Sequence, residues 1–398
     1  MSRPGATGSP GNVVRHAPWP MASDSDHRPA VLAVARWPVG GIRTYLRDLF
    51  AAPALQGYAF VLVAPNEEGL DEYVAGGRLA CREWIAPGSS IVEMTRAVSA
   101  ASRHCKPVLV HSHGFSSGVI SGLARQLTGF PHLLTVHDLL LDTQFKGLGG
   151  RVRHLGLGMS LGSPDYIHCV TGDSRDNLLA CYPWLTGLRR KTVVIPHGVD
   201  TGKIALAPRR EVATELGWSP DTVIFGFLGR FMAQKGFRVL MDAMEILKNR
   251  GLTPARARVL AVGSGGYLRE DRARIAALGL EEFFAFWPYQ TDVASILKGI
   301  HCLVMPSLWE ASGLLAMEAM VAGTPVIGTD CVGLRETLAA SPSVRVRAND
   351  SVQLSEAIAS FVARPDKQAA IQFQREAIQR FSADRSFAAL HDLYDRVR

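Results

Sequence analysis

An α/β protein built of two doubly wound parallel sheets is predicted by three observations. Short apolar runs alternate with amphipathic stretches from Ala30 onward. These runs fall into two series of similar size, and a stretch with Pro, Gly and polar residues but no strand pattern, 196–212, separates them. The length of 398 residues agrees, because domains of roughly 150 residues make it a chain of two or three. With 47% hydrophobic and 20% charged residues the composition is that of a globular protein and excludes a mainly disordered chain.

Taken in order, residues 1–28 are rich in Pro, Gly and Ser without apolar period and predict a flexible leader. The first series of strands follows as VLAVAR (31–36), YAFVLVA (58–64), PVLVHSH (107–113), HLLTVH (132–137), YIHCVTG (166–172) and KTVVIPHG (191–198). The second is TVIFGFLG (222–229), ARVLAVGSG (257–265), EFFAFW (282–287), HCLVMPS (301–307) and TPVIGTD (324–330). Such runs, separated by helices such as FRVLMDAMEILKNR (237–250), imply parallel strands with crossover helices on both faces. The boundary is placed near residue 200, giving domains over 29–200 and 201–382. The last segment, 381–397, reads as a helix N-capped by Ser382. In two such domains, ligands are expected at the carboxyl ends of the strands, in a central cleft.

Net charge is +7, which suits nucleic acid, an acidic membrane or a phosphorylated small molecule. The excess is spread over both halves, unlike a concentrated nucleic-acid patch, so no nucleic-acid partner is expected. The six cysteines form no metal-ligand spacing and read as reduced thiols in apolar contexts. No apolar run approaches the roughly 18 residues of a membrane span, and no signal-peptide core is present. A cytoplasmic protein is expected.

The sharpest motif runs from Met305 to Asp330. Glu310 and Glu318 stand eight positions apart, one in a loop and one inside a helix that should start near Gly313-Leu314 and end at Gly323. The first N–H groups of such a helix lack intrahelical acceptors and, with the helix dipole, form an anion site suited to a phosphate. Carboxylates repel that phosphate, so Glu310 and Glu318 suit sugar hydroxyls on either side of it, although an isolated pair at this spacing also fits a loop acid and a surface helix acid. In GFLGRFMAQKG (226–236), Arg230 and Lys235 follow a strand and would neutralise a diphosphate; a solvated Arg and a helix-start Lys is the plainer alternative. Gly40 and Gly41 follow the first strand and open a helix, permitting close ligand approach. Neither they nor GSGGYL (263–268) match a dinucleotide fingerprint, which disfavours an NAD-dependent oxidoreductase. His137 ends a strand and is followed by Asp138, so it either reaches the crevice or is structural; His197, in IPHGVD, reads as structural.

Together these residues resemble the retaining glycosyltransferases of family 4, which have the GT-B fold and include phosphatidylinositol mannosyltransferases and many exopolysaccharide and lipopolysaccharide enzymes. The resemblance covers nearly all of 30–398 and is strongest over 191–336. The family's E-x7-E element falls on Glu310 and Glu318, its diphosphate clamp on Arg230 and Lys235, its Gly-Gly loop on Gly40 and Gly41, and its sugar-contacting histidine on His137. Its hinge resembles IPHGVD, and its terminal helix, which crosses back to complete the first domain, resembles 383–398. The family's Glu-Gly-Phe-Gly-Leu is here Glu310-Ala311-Ser312-Gly313-Leu314, and its downstream Gly-Gly is Val332-Gly333 with Glu336 retained. Gly313 and Leu314, whose amides would hold the phosphate, are kept, so the change bears on sugar choice more than on donor binding.

The resemblance implies sugar transfer from a nucleotide diphosphate-sugar to an acceptor hydroxyl with retention, in polysaccharide, glycolipid or glycoconjugate biosynthesis. Arg230, Lys235 and the helix at Gly313 would stabilise the leaving diphosphate in place of a metal, and no cofactor is implied. The only D-x-D, Asp24-Ser25-Asp26, lies in the leader. Glu310 would hold sugar hydroxyls, Glu318 the ribose and His137 a hydroxyl near the reacting carbon, with Pro288 and Tyr289 lining the base pocket. The acceptor, a sugar, glycolipid or small molecule, would dock near Gly41, His137 and 144–162. There Lys146, Arg151, Arg153 and His154 lie among Leu148, Leu155, Leu157 and Met159, a mixture that fits either an anionic membrane at its inner face or a helix covering the sheet. The alternatives on the same fold are a nucleotide-sugar epimerase, a phosphorylase or a catalytically silent nucleotide-sugar binding protein.

Overall fold

The computed structural model describes residues 27–398; nearly all of the leader, and Asp24-Ser25-Asp26 with it, lies outside the described residues. Two parallel sheets organise the chain. The first comprises β1 Ala30–Ala35, β2 Ala59–Val63, β3 Glu83–Ile85, β4 Leu109–His113, β5 His132–Val136, β6 Tyr166–Cys169 and β7 Thr192–Val194, in the order β3-β2-β1-β4-β5-β6-β7. The second comprises β8 Val223–Leu228, β9 Ala257–Val262, β10 Phe284–Trp287, β11 Cys302–Met305, β12 Val326–Thr329 and β13 Val344–Val346, in the order β10-β9-β8-β11-β12-β13. All eleven predicted strands are present. The two that the apolar runs do not reveal, β3 (EWI) and β13 (VRV), are three-residue sheet edges, where half-exposed positions carry Glu83 and Arg345.

Each sheet reverses its strand order once. β1 pairs in parallel with both β2 and β4, and β8 with both β9 and β11. Loops leaving such a switch point diverge to opposite faces and leave a crevice at the strands' carboxyl ends. In the second sheet those loops are 229–236 after β8 and 306–313 after β11, the two segments bearing the sharpest motifs. In the first sheet the loop after β1 carries Gly40 and Gly41. The two Rossmann-like sheets are those of the GT-B fold.

Contacts divide the chain into two compact units: one of residues up to Thr135 with Phe145–Ile167 and His391–Arg398, the other of Val136–Gln144 with His168–Leu390. In the first, β1 is buried throughout, and Leu32, Val34, Val61, Val63 and Val110 form a core with Met94 and Val98 of helix Ile91–Cys105. β4 also buries polar groups: His111 bonds Tyr394 Oη at 2.7 Å and Thr135 Oγ1 at 2.6 Å, and Ser112 donates to Ser121 Oγ at 2.7 Å. Tyr394 thereby ties the end of helix Ala383–Val397 to the middle of this sheet.

In the second unit the period-two alternation of β8 feeds two cores, Ile224 and Leu228 on one face and Val223, Phe225 and Phe227 on the other. Helix Ala383–Val397 starts one residue after Ser382, and a parallel bridge joins Ser382 to Val199. All six cysteines are free thiols; Cys169, Cys302 and Cys331 are buried and the other three partly so. Among the described residues no helix is long and apolar enough to cross a membrane.

Candidate active site

The loop after β8 is built around Phe231, which is buried among Phe227, Phe237 and Phe286. Its backbone is bonded on both sides to the loop after β9: Phe231 N–H donates to Ser264 O at 2.9 Å, and Tyr267 N–H to Phe231 O at 3.2 Å. With Phe231 anchored inward, its neighbour Arg230 is exposed. A 3-10 turn, Ala233–Lys235, then carries Lys235 up to Gly236 and helix Phe237–Asn249. Gly236 has φ +65°, and a Cβ there would lie 1.9 Å from Pro306 O. This close approach seats the β8 loop on the β11 loop, and two bonds fasten it: Leu308 N–H to Gln234 O at 2.7 Å and Gln234 Nε2 to Trp309 O at 3.0 Å.

The result is a charged pair at the switch point. Lys235 Nζ donates to both oxygens of Glu310, at 2.7 and 3.0 Å. Glu310 is only 6% exposed, and Ser307 Oγ donates to its Oε1 at 2.7 Å. Two of the three ammonium hydrogens face Glu310, which leaves a third donor on a side chain that is 26% exposed. Gly313, with φ +67°, is the N-cap of helix Leu314–Val321. The first N–H turned back into that helix is Ala316's, 2.9 Å from Gly313 O, so those of Leu314 and Leu315 point out of its amino end. Glu318 lies on the same helix, partly exposed.

His137 and Asp138 follow β5 and fall in the same unit as this pair. The rings of His137 and His197 are 5.3 Å apart, and His197 Nδ1 is 3.4 Å from Ser312 Oγ. Read as structural from the sequence, His197 is buried behind His137, where burial holds its pKa at about 3 and keeps it neutral. Asp138 keeps an exposed face, yet loss of hydration, reinforced by Glu310's charge, raises its carboxyl above the ordinary value against the pull of Leu139 N–H and Lys235. Asp138 carries no sequence signal as a site residue because it becomes a neighbour of Glu310 only through the crossovers, whereas Ser307 lies three positions before Glu310 in the same loop, whose fold turns its hydroxyl onto the carboxylate.

The departures from the family motif are packed features here. Ala311 O accepts from Thr171 Oγ1 at 3.0 Å, and Ser312, 4% exposed, bonds through its carbonyl to Thr337 Oγ1. Glu336 accepts from Gly172 and Asp173 N–H at 3.0 and 2.9 Å, placing a carboxylate at the start of helix Gly172–Cys181, while Asp173 in return pairs with Arg335 at 2.7 Å. Gly333, with φ +83°, donates to Asp173 Oδ2 at 2.9 Å, and a Cβ there would lie 2.0 Å from Glu310 O. Gly333→Ala is therefore expected to lower stability by at least about 1–3 kcal/mol from the backbone alone and to displace Glu310. Gly41, where a Cβ meets nothing within 4 Å, is the control: Gly41→Ala should leave the melting temperature unchanged or slightly raised. Calorimetry of both variants checks this.

The remaining candidates are placed as follows. Gly40, φ +55°, precedes helix Gly41–Ala51 in the first unit, and both glycines are exposed. Tyr289, 71% exposed, follows β10 beside Trp287, over which the Arg210 guanidinium stacks at 4.2 Å. Among the described residues no group of three or more His, Cys, Asp or Glu is arranged to hold a metal ion.

Comparison with known proteins agrees with this layout. The chain is 29% identical over 301 residues to a D-inositol 3-phosphate glycosyltransferase of Saccharomonospora viridis, covering 72% of this chain and 69% of that one. It is 30% identical over 280 residues to an alpha-maltose-1-phosphate synthase of Mycolicibacterium smegmatis, covering 65% and 70%. Among solved structures, Anabaena HepE in complex with UDP superposes with a TM-score of 0.76 at 17% identity, over 93% of this chain and 100% of that one. Sucrose-phosphate synthase of Thermosynechococcus elongatus gives 0.76 at 21% identity, over 93% and 99%. The Glycosyltransferase Family 4 model matches residues 39–203 and the Glycosyl transferases group 1 model matches 222–364, so every candidate residue falls in a matched segment, and the chain is a glycosyltransferase of family 4.

Proposed function

We propose that the protein transfers a sugar from a nucleoside diphosphate-sugar to an acceptor hydroxyl with retention at the anomeric carbon and without a metal ion. The observation that carries this reading is the Lys235–Glu310 pair beside the amino end of helix Leu314–Val321, which sets a cation and a hydroxyl acceptor next to an anion site. Arg230, Lys235 and the N–H groups of Gly313 and Leu314 hold the diphosphate and stabilise the charge that develops as it departs, the work a metal ion does in other sugar transferases. Glu310 accepts from sugar hydroxyls, Glu318 from the ribose, and His137 from a hydroxyl near the reacting carbon. Pro288 and Tyr289 line the place of the base. Gly40 and Gly41 leave their backbone open to a ligand of the first unit.

Chemically, the bond from the anomeric carbon to the diphosphate oxygen breaks while the acceptor oxygen bonds to the same face. The acceptor's proton passes to the departing phosphate oxygen. Positive charge around that phosphate lowers the barrier by favouring departure. The acceptor is a sugar, glycolipid or small molecule, and the setting is the cytoplasm or the inner face of its membrane. The product belongs to polysaccharide, glycolipid or glycoconjugate biosynthesis.

A thermal-shift panel of UDP, GDP, ADP, dTDP and NAD, each with magnesium and with EDTA, tests this. At roughly 100 times its dissociation constant a ligand adds about 2.7 kcal/mol, a shift of several degrees. The expected result is a shift with one nucleoside diphosphate that EDTA leaves unchanged; a shift with NAD alone overturns the reading. With the donor named, retention is read from the anomeric configuration of the product. An epimerase would release an altered donor without acceptor, a phosphorylase would need free phosphate, and a silent binder would turn nothing over.

A further inference from the structure

We propose that helix Gly147–Ser160 docks the protein on an anionic lipid surface. This deepens the reading above on its acceptor side and rests on different residues. Leu148, Val152, Leu155 and Met159 are 81%, 65%, 56% and 70% exposed. Their spacing of four, three and four puts all of them on one face of the helix, a stripe of large apolar side chains directed into solvent. The opposite face is buried through Gly150 and Gly158, and a Cβ at Gly150 would lie 2.3 Å from the backbone of Phe145. Glycines on the inner face and leucines, valine and methionine on the outer one are the reverse of what covers a sheet.

The charges decide what meets the stripe. Lys146, Arg151 and Arg153 are exposed; at 100° per residue Arg151 borders the stripe on one side, exposed Gly149 and Gly156 border it on the other, and Arg153 lies farther round the helix. No acidic residue occurs between Asp142 and Asp165. A seam built for a second copy of the helix would carry charges of both signs beside its apolar positions. An apolar stripe on a helix whose charged residues are all cations matches a bilayer surface, whose acyl boundary takes the side chains while acidic headgroups meet the cations. At fourteen residues the helix is too short to span, so it lies in the interface.

Flotation of the full protein with phosphatidylcholine vesicles, with and without phosphatidylglycerol, tests the proposal. Expected is flotation with the anionic vesicles at low salt, release at high salt, and no flotation with phosphatidylcholine alone. Leu148→Glu with Leu155→Glu should abolish it, and Arg151→Ala should weaken it roughly fivefold. These substitutions replace exposed side chains, and the nucleotide-induced thermal shift of each variant reports that it is folded. Absence of flotation, or flotation untouched by the Leu148→Glu, Leu155→Glu variant, overturns the proposal. So does a dimer in light scattering that this variant converts to monomer, which would assign the stripe to a second copy. A nucleotide shift without flotation removes docking and keeps the transferase, and flotation without any nucleotide shift does the opposite.

Discussion

Lys235→Ala is expected to lower kcat for sugar transfer by roughly 10²–10³, the loss seen when one donor to a developing negative charge is removed. The position explains why so much falls on one side chain. Lys235 is fixed by two bonds to a carboxylate that is itself held by Ser307, so its ammonium is in place before any charge moves. A group so placed needs no reorganisation as the diphosphate departs. On the proposed reading Arg230, exposed beside the anchored Phe231, meets the same phosphates from the solvent side, and Arg230→Ala is expected to raise KM more than it lowers kcat. The Lys235 change has a second cost, because it leaves Glu310 charged, nearly buried and bonded to Ser307 alone, about 1–3 kcal/mol of stability. Glu310→Gln separates the two effects: it removes the buried charge, keeps an acceptor for sugar hydroxyls, and should melt higher than Lys235→Ala while retaining more turnover. Steady-state kinetics and calorimetry on the three variants read this out. A Lys235→Ala enzyme within a few-fold of wild type would sink the proposed stabilisation of the leaving group.

Much of this site was legible in the sequence because parallel sheets constrain where ligands go. Long apolar runs mark interior strands, the loops that follow them meet at the strand-order reversal, and Arg230, Lys235, Glu310 and Gly313 all sit in two such loops. Glycine, likewise, is readable where the backbone has no room for anything else, as at Gly236 against Pro306. Pairing was not readable. Nothing in a linear chain says that Lys235 donates two hydrogen bonds to Glu310, 75 positions away, or that Glu336 reaches the start of helix Gly172–Cys181. Edge strands were lost for a simpler reason: β3 and β13 are too short and too exposed to need an apolar run. His197 illustrates the remaining gap, since its place against His137 and Ser312 arises only after the crossover returns the chain to β5's end.

Stability should fall steeply as pH drops from about 6.5 toward 5, and buried histidines are the cause. Burial lowers His132 to about 3, with Arg125 assisting, lowers His168 to about 4 against the pull of Ile195 O, and lowers His197 to about 3 with His168 assisting. An unfolded histidine titrates near 6.5, so below that pH the unfolded chain takes up protons that the folded one refuses. The sign follows: stability is complete above about 6.5 and is lost as pH falls toward the folded values. At pH 5 each of the three costs about 2 kcal/mol, together about 6, a large part of the roughly 5–15 kcal/mol by which proteins are stable. Asp138 works the other way, its raised carboxyl favouring the folded state as pH falls, but one partly exposed group cannot offset three buried rings. The loss is also uneven, because His168 and His197 lie in the second unit and His132 in the first. Urea unfolding from pH 7.5 to 5 should accordingly show the second unit weakening faster, and because burial also lowers His301 of that unit to about 4, His197→Gln, uncharged at every pH, should lose about a third of the unit's slope. Unfolding free energies that stay level from pH 7 to 5 would mean that these histidines accept protons in the folded protein, which requires water or a carboxylate within reach of rings that the fold has enclosed.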